Sequence, residues 1–184
     1  MVTAETDTKT KWAIDASHSE IGFKVKHLMI SNVKGVFREF EATIYTTGKD
    51  FMTSEIDIWI NAASIDTGDE KRDTHLKGPD FFDAENHKQI TFTGNTYEKG
   101  DTEGIYELHG DLTIKGITKR IKLDIEFGGV IKDPWGNEKA GFIINGKINR
   151  KDWGLSWNTV LETGGVVVSN DVKINCEVQL VKQA

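Results

Sequence analysis

His18 stands between Ser17 and Ser19, with Asp15 three residues before it. A hydroxyl, an imidazole and a carboxylate are the parts of nucleophilic acyl transfer, with histidine as base and aspartate as its orienter. Groups this close in sequence rarely reach that geometry, and no Gly-x-Ser-x-Gly turn supports it. The five histidines, His18, His27, His75, His87 and His109, occur singly. None has the His-x-His or His-x-x-x-His spacing that would place two imidazoles on one metal, so no metal site is expected. The glycines form no phosphate-cradling pattern. The single cysteine, Cys176, excludes an internal disulfide and any all-cysteine zinc site. In phase with Ile174 and Val178, it reads as an inert core thiol. A barrel enzyme acting on a small apolar substrate would take its base from His18, His27 or His75. It would also need at least two converging inward polar groups, and the sequence supplies almost none.

These residues lie on segments that put apolar side chains at every second position. In Ile21-Gly22-Phe23-Lys24-Val25-Lys26-His27 the odd positions are apolar or imidazole and the even ones glycine or lysine. That period gives one face to water and one to an interior. Similar stretches are expected at Phe40 to Ile44, Ser54 to Asn61, Gln89 to Thr96, Tyr106 to Ile114, Lys119 to Ile131, Ala140 to Ile148 and Val166 to Val181. Val33 to Phe37 is expected to be a glycine-marked bend, and Lys115 to Thr118 a hairpin turn. One helical stretch is expected, capped by Asp66 or Thr67 and stopped by Gly78-Pro79, with Asp80-Phe81-Phe82-Asp83 as a loop after it. About eight long antiparallel strands with one helical insertion make a closed barrel or a two-sheet sandwich. Phe23, Phe40, Phe92, Phe127 and Phe142 fall on inward phases, as a packed core or as the lining of a hollow. Gly94, Gly110 and Gly146, also inward, either permit strand bends or clear interior space.

At 184 residues the chain suits one domain, taken as residues 11–184 after a flexible tail at 1–10. A net charge of −6 argues against a nucleic-acid partner. There is no apolar run of membrane-spanning length and no leader pattern at the start. As written, the chain is expected in the cytoplasm; a processed mature form would look the same and would be periplasmic.

One set of segments goes beyond periodicity. Trp12-Ala13-Ile14-Asp15, the run His18 to His27, and Val33-Lys34-Gly35-Val36-Phe37 resemble the start of the YceI-like family of polyisoprenoid-binding proteins. Ala63-Ser64-Ile65-Asp66-Thr67, Arg72-Asp73-Thr74-His75-Leu76 and Asp80-Phe81-Phe82-Asp83 are similar to its helix and following loop. Gly110-Asp111-Leu112-Thr113-Ile114-Lys115-Gly116-Ile117-Thr118 and Arg150-Lys151-Asp152-Trp153-Gly154 follow in the same order. The chain departs at Lys88, often proline in the family, and at Trp153, more often phenylalanine. As written, no export signal of the kind many members carry is expected at its start.

The resemblance implies an all-β fold: an extended lipocalin-like, eight-stranded antiparallel β-barrel with one short helical insertion. It implies non-enzymatic transport or storage of a long isoprenoid lipid or isoprenoid quinone in a central pore. No cofactor is required, homodimers are frequent, and transient membrane contact is compatible with it. The expected pore lining is then Ile21, Phe23, Val25, Phe40 and Ile58 from the first half. Phe92, Leu108, Leu112, Phe127, Phe142, Ile144, Val172 and Ile174 follow from the second. His75, Leu76, Phe81 and Phe82 would form a lid, with Arg72 and His75 meeting a head group or tying the helix to nearby acids. The remaining alternative is a stress-associated structural domain with a solid core.

Overall fold

In the computed structural model, residues 8–100, 102–158 and 167–183 are described. They contain β1 (Lys9–Ile14), β2 (Glu20–His27), β3 (Ser31–Phe37), β4 (Phe40–Thr47), β5 (Asp50–Asn61) and β6 (Ile65–Asp66). A single α-helix, α1 (Glu70–Lys77), comes next, and β7 (Gln89–Lys99), β8 (Ile105–Ile114), β9 (Ile117–Lys132), β10 (Glu138–Asn149) and β11 (Val168–Lys182) follow. The sheet runs β1-β4-β5-β7-β8-β9-β10-β11 and closes where β1 pairs with β11, Trp12 opposite Lys182 and Ile14 opposite Leu180. This is a closed, eight-stranded antiparallel barrel, so the barrel and not the sandwich is the outcome. β2 pairs with the rest of that β11 edge, from Val168 to Glu177, and β3 and β6 follow it in the sheet, with Val33 and Phe37 of β3 facing the interior. No helix among the described residues is long and apolar enough to cross a membrane.

Alternation builds the wall. In β4 the side chains of Phe40, Ala42, Ile44 and Thr46 are buried, while Glu41 and Tyr45 are exposed. A one-residue slip would reverse every side chain, so a buried face fixes register strongly. Lys115 and Gly116 form the β8–β9 turn with φ of 54° and 74°, the left-handed pair a tight two-residue hairpin needs.

Several expectations change. Val33 to Phe37 is not a bend but part of β3, with Gly35 directly opposite Phe23; a Cβ at Gly35 would run into the Phe23 ring. The helix is capped by Asp69 rather than Asp66 or Thr67. Asp69 accepts the Arg72 N–H at 3.0 Å, whereas Asp66 accepts from Gly68 and Thr67 donates to Asp73. The ordered wall starts at Lys9, before the expected boundary; residues 1–7 of the expected tail and Val166 lie outside the described residues. The inward glycines clear no empty space. Gly94 and Gly110 face each other under the Phe92 ring, and a Cβ at Gly146 would meet Leu123.

Candidate functional site: an apolar cavity inside the barrel

The inward faces of the strands enclose a cavity of about 570 Å³, within the range of small-molecule sites. From the sequence-derived set, β2 supplies Ile21, Phe23 and Val25, β5 supplies Ile58, and β7 supplies Phe92. Leu108 and Leu112 come from β8, Phe142 and Ile144 from β10, Val172 and Ile174 from β11. His75 and Leu76 of α1 and the following Phe81 and Phe82 stand at the end where the helix lies. Cys176 also lines it, and burial pushes its thiol up to about 11, well away from nucleophilic use.

Two of the expected lining residues are elsewhere. Phe40 keeps its inward phase but opens β4, level with the exit from β5, where Asn61 N–H bonds the Glu39 carbonyl. Its ring joins the packed core and not the cavity wall. Phe127 is 40% exposed. It keeps its phase opposite Phe142, with the β9–β10 register shifting just beyond it. Its ring packs against Phe142 and Phe51 at 5.2 and 5.4 Å instead of lining the cavity.

The two ends differ. At the far end from the helix, Phe51 packs against Trp12 and Phe142, and the Trp12 indole N–H donates to the buried Thr46 hydroxyl at 3.0 Å. This aromatic cluster closes that end of the barrel with its one indole N–H paired. Just inside it are Ser54, Tyr97 and Tyr106, polar lining that the sequence reading missed. The cause is a bulge in β7: Gly94 faces Gly110, but Thr96 faces His109, so Asn95 is extra. The bulge inverts the phase and turns Tyr97 inward, opposite Leu108. Tyr97 is hydrogen-bonded to Ser54, whose hydroxyl donates to the Phe51 carbonyl. Burial pushes the Tyr97 phenol up to about 12 against the opposing effect of that bond. Burial, then Tyr97 itself, also raises Tyr106.

At the helix end, Phe82 meets Phe37 edge-on at 5.9 Å, and Phe81 packs on His75 and Trp157 at 5.1 and 5.5 Å. His75 Nε2 is 3.0 Å from Asp80 Oδ2, so it is tied to an acid. Arg72 is held by Thr67, donating to its hydroxyl and its carbonyl at 2.7 Å each. Arg150, another cavity residue missed in sequence, is 3% exposed and donates to the Leu155, Ser169 and Val168 carbonyls. Desolvation lowers its pKa, and the three carbonyls satisfy the buried cation.

Outside the cavity, Asp15 gathers both of its neighbours: the Ser17 hydroxyl donates to Oδ1 at 2.7 Å and His18 Nδ1 is 2.8 Å from Oδ2. Ser17 Oγ is also 3.1 Å from His18 Nδ1, so serine and aspartate meet the same ring nitrogen, where a relay needs the two opposite ones, and the cluster lies on the outer surface. His109 Nε2 approaches Glu98 and Glu107 at 3.7 and 3.6 Å on the outer face. Those three groups could together hold a cation, but Lys122 already pairs with Glu107 at 3.2 Å, and the buried His109 Nε2 makes no hydrogen bond to either carboxylate.

A family model described as a YceI-like domain matches residues 12–180. The chain is 42% identical over 171 residues to a UPF0312 protein of Staphylococcus aureus, covering 92% of this chain and 96% of that one. It is similar to the crystal structure of a Campylobacter jejuni YCEI protein, with 38% identity, a TM-score of 0.72, and coverage of 92% of this chain and 96% of that one. The structure of a polyisoprenoid binding domain from Saccharophagus degradans, implicated in plant cell wall breakdown, shares the fold alone. It has 14% identity and a TM-score of 0.64 over 94% of this chain and 98% of that one. A match along nearly the whole barrel, with relatives this similar, means that the chain belongs to the YceI-like family.

Proposed function

We propose that this protein is a non-enzymatic carrier that holds a long isoprenoid chain, free or as the tail of a quinone, inside the barrel. The observation that carries the reading is the cavity itself: about 570 Å³, walled by apolar side chains from strand after strand, where a solid core would have none. The fold shared with a polyisoprenoid binding domain supports it. A prenyl chain has no hydrogen-bonding groups along its length and asks for none from the wall. Each buried methylene-sized group contributes about 0.8 kcal/mol, so a five-carbon unit brings roughly 3–4 kcal/mol before ordering costs. Four units exceed about 10 kcal/mol gross, which leaves room for tight binding after several kcal/mol of loss. His27 and His75 share the helix end with Arg72, but His75 is tied to Asp80 and Arg72 to Thr67. The tyrosine pair lies at the opposite end and His18 on the outer surface, so the carrier reading is the one the lining favours.

Release then needs an opening. α1 and the Phe81-Phe82 turn close the helix end through aromatic edges, and this is the part we assign as a lid. The test is denaturing organic extraction of the purified protein with mass analysis, followed by reloading of stripped protein. Recovery or uptake of prenyl lipids is the expected result. Protein competent to exchange lipid, yet taking up no prenyl chain of any length, overturns the proposal.

A further inference from the structure

β2 and β3 meet in a loop of Leu28, Met29 and Ile30, three apolar residues that are 37%, 52% and 84% exposed. Leu28 and Met29 both hold positive φ, at 53° and 62°. That backbone region suits glycine or asparagine, and a hairpin loop is where either is easily placed. Large apolar side chains are kept here against backbone preference and against water. Single exposed apolar residues need no explanation, but three in succession at a hairpin tip form a wedge. The wedge stands at the helix end of the cavity. Lys26 and His27, just before it, line the cavity, and the Leu28 N–H donates to the Val167 carbonyl at 2.8 Å.

Behind the tip, the outer face of the wall carries lysines in register. Lys34 is opposite Lys24, Lys24 opposite Lys173, and Lys173 opposite Lys147, one row across β3, β2, β11 and β10. Like charges directly opposite each other on a sheet repel. Lys147 has the Asp171 carboxylate at 3.8 Å, while Lys24, Lys26, Lys34 and Lys173 make no ion pair among the described residues. On a chain whose net charge is −6, this row is a cationic belt on an acidic molecule.

We propose that this face docks on an anionic lipid bilayer, with Leu28, Met29 and Ile30 entering the acyl boundary and the lysine row on headgroup phosphates. The spacing fits. At about 3.3 Å per residue, Lys24 lies about 13 Å behind Leu28. A wedge that enters about 5–10 Å leaves the row at phosphate level. Neither a three-residue wedge nor a few lysines anchors a protein alone, so docking is reversible and faces the mouth toward the membrane. The purpose of this docking rests on the carrier reading, but its test does not.

The test is flotation of the full chain with isoprenoid-free vesicles, of phosphatidylcholine alone and of phosphatidylcholine mixed with phosphatidylglycerol. Binding to the mixed vesicles that weakens as salt rises is expected. Ile30→Glu should lower it roughly tenfold or more, and Lys34→Gln or Lys173→Gln about fivefold each, with unchanged thermal unfolding because these side chains are exposed. Absence of binding at low salt, equal binding to both vesicle types, or undiminished binding by the variants overturns the proposal. So does charge-dependent binding to polyglutamate without vesicle binding, which would assign the belt to an acidic protein. Protein that docks on vesicles but takes up no prenyl lipid overturns the carrier reading and leaves the docking standing.

Discussion

Tyr106 lines the cavity, and its hydroxyl has no hydrogen-bond partner among the described residues. In an apolar chamber such a donor discriminates, because a ligand oxygen that reaches it gains a bond while a bare hydrocarbon leaves it unpaired. Tyr106→Phe should therefore weaken binding of geranylgeraniol by about 3- to 10-fold. Binding of the matching hydrocarbon should be unchanged, as titration calorimetry would read; equal loss for both would point to a packing role. Asp15 yields a separate expectation. The Ser17 hydroxyl, opposed by desolvation and helped by His18 and Lys139, holds its carboxyl at about 2, below the ordinary 3.8. A carboxyl depressed in the folded state adds stability that is fully present above pH 3.8 and is lost as pH falls toward 2. Asp15→Asn should thus flatten the acid limb of a pH–stability curve between those values. The effect should be no more than about 1 kcal/mol, since its partners Ser17 and His18 are exposed and solvent screens the pairing. An unchanged limb would contradict the assignment.

At the scale of elements, α1 is short and its outer turns face water, so its stability comes from its cap and from the aromatics beneath it. Asp69→Ala removes the cap and should cost about 1 kcal/mol, seen as faster hydrogen exchange over residues 70–77 with little change in the barrel strands. Phe81→Ala with Phe82→Ala should leave the wall intact and speed release of a loaded prenyl lipid; unchanged release with intact folding would remove the lid assignment. How much of this was legible in the sequence depends on local regularity. Period-two stretches such as Phe40 to Ile44 placed the wall and most of the cavity lining, because alternation and burial are the same fact read twice. The helix was visible through Gly78-Pro79, but its cap was not. Asp66, Thr67 and Asp69 are equivalent in sequence, and only the Gly68 turn decides which carboxylate meets the Arg72 N–H. Tyr97 was hidden because a bulge at Asn95 inverts its phase, and a bulge has no signature in alternation alone. The Leu28–Ile30 wedge was hidden for a different cause. Three apolar residues between strands look like core until the backbone turns them outward.

For the whole molecule, the cavity exists only while the barrel is closed, and closure has a narrow seam. β1 meets β11 over three residue pairs, Trp12 to Ile14 against Leu180 to Lys182, while β10 meets β11 over the whole run from Lys139 to Asn149. Trp12, fully buried and bonded to Thr46, pins that seam from inside next to Phe51. An unfolded or opened chain has no chamber, so cargo binds the closed state alone and must stabilise it by mass action. At a free ligand concentration one hundred times the dissociation constant, the gain is about 2.7 kcal/mol. For a domain of this size each kcal/mol moves the melting midpoint by about 2–4 °C, so stripped protein should gain about 5–10 °C on loading with geranylgeraniol. At fixed ligand concentration the shift should grow with prenyl length until the chamber is full, because each added methylene-sized group contributes about 0.8 kcal/mol only while it finds wall to bury against. It should be nearly independent of salt, unlike docking through the lysine row, whose charges are screened. Scanning calorimetry of the stripped protein across a series of prenyl alcohols measures all three. A midpoint that ignores chain length, or a shift that salt abolishes, would mean that the ligand sits on the outer surface and not in the barrel.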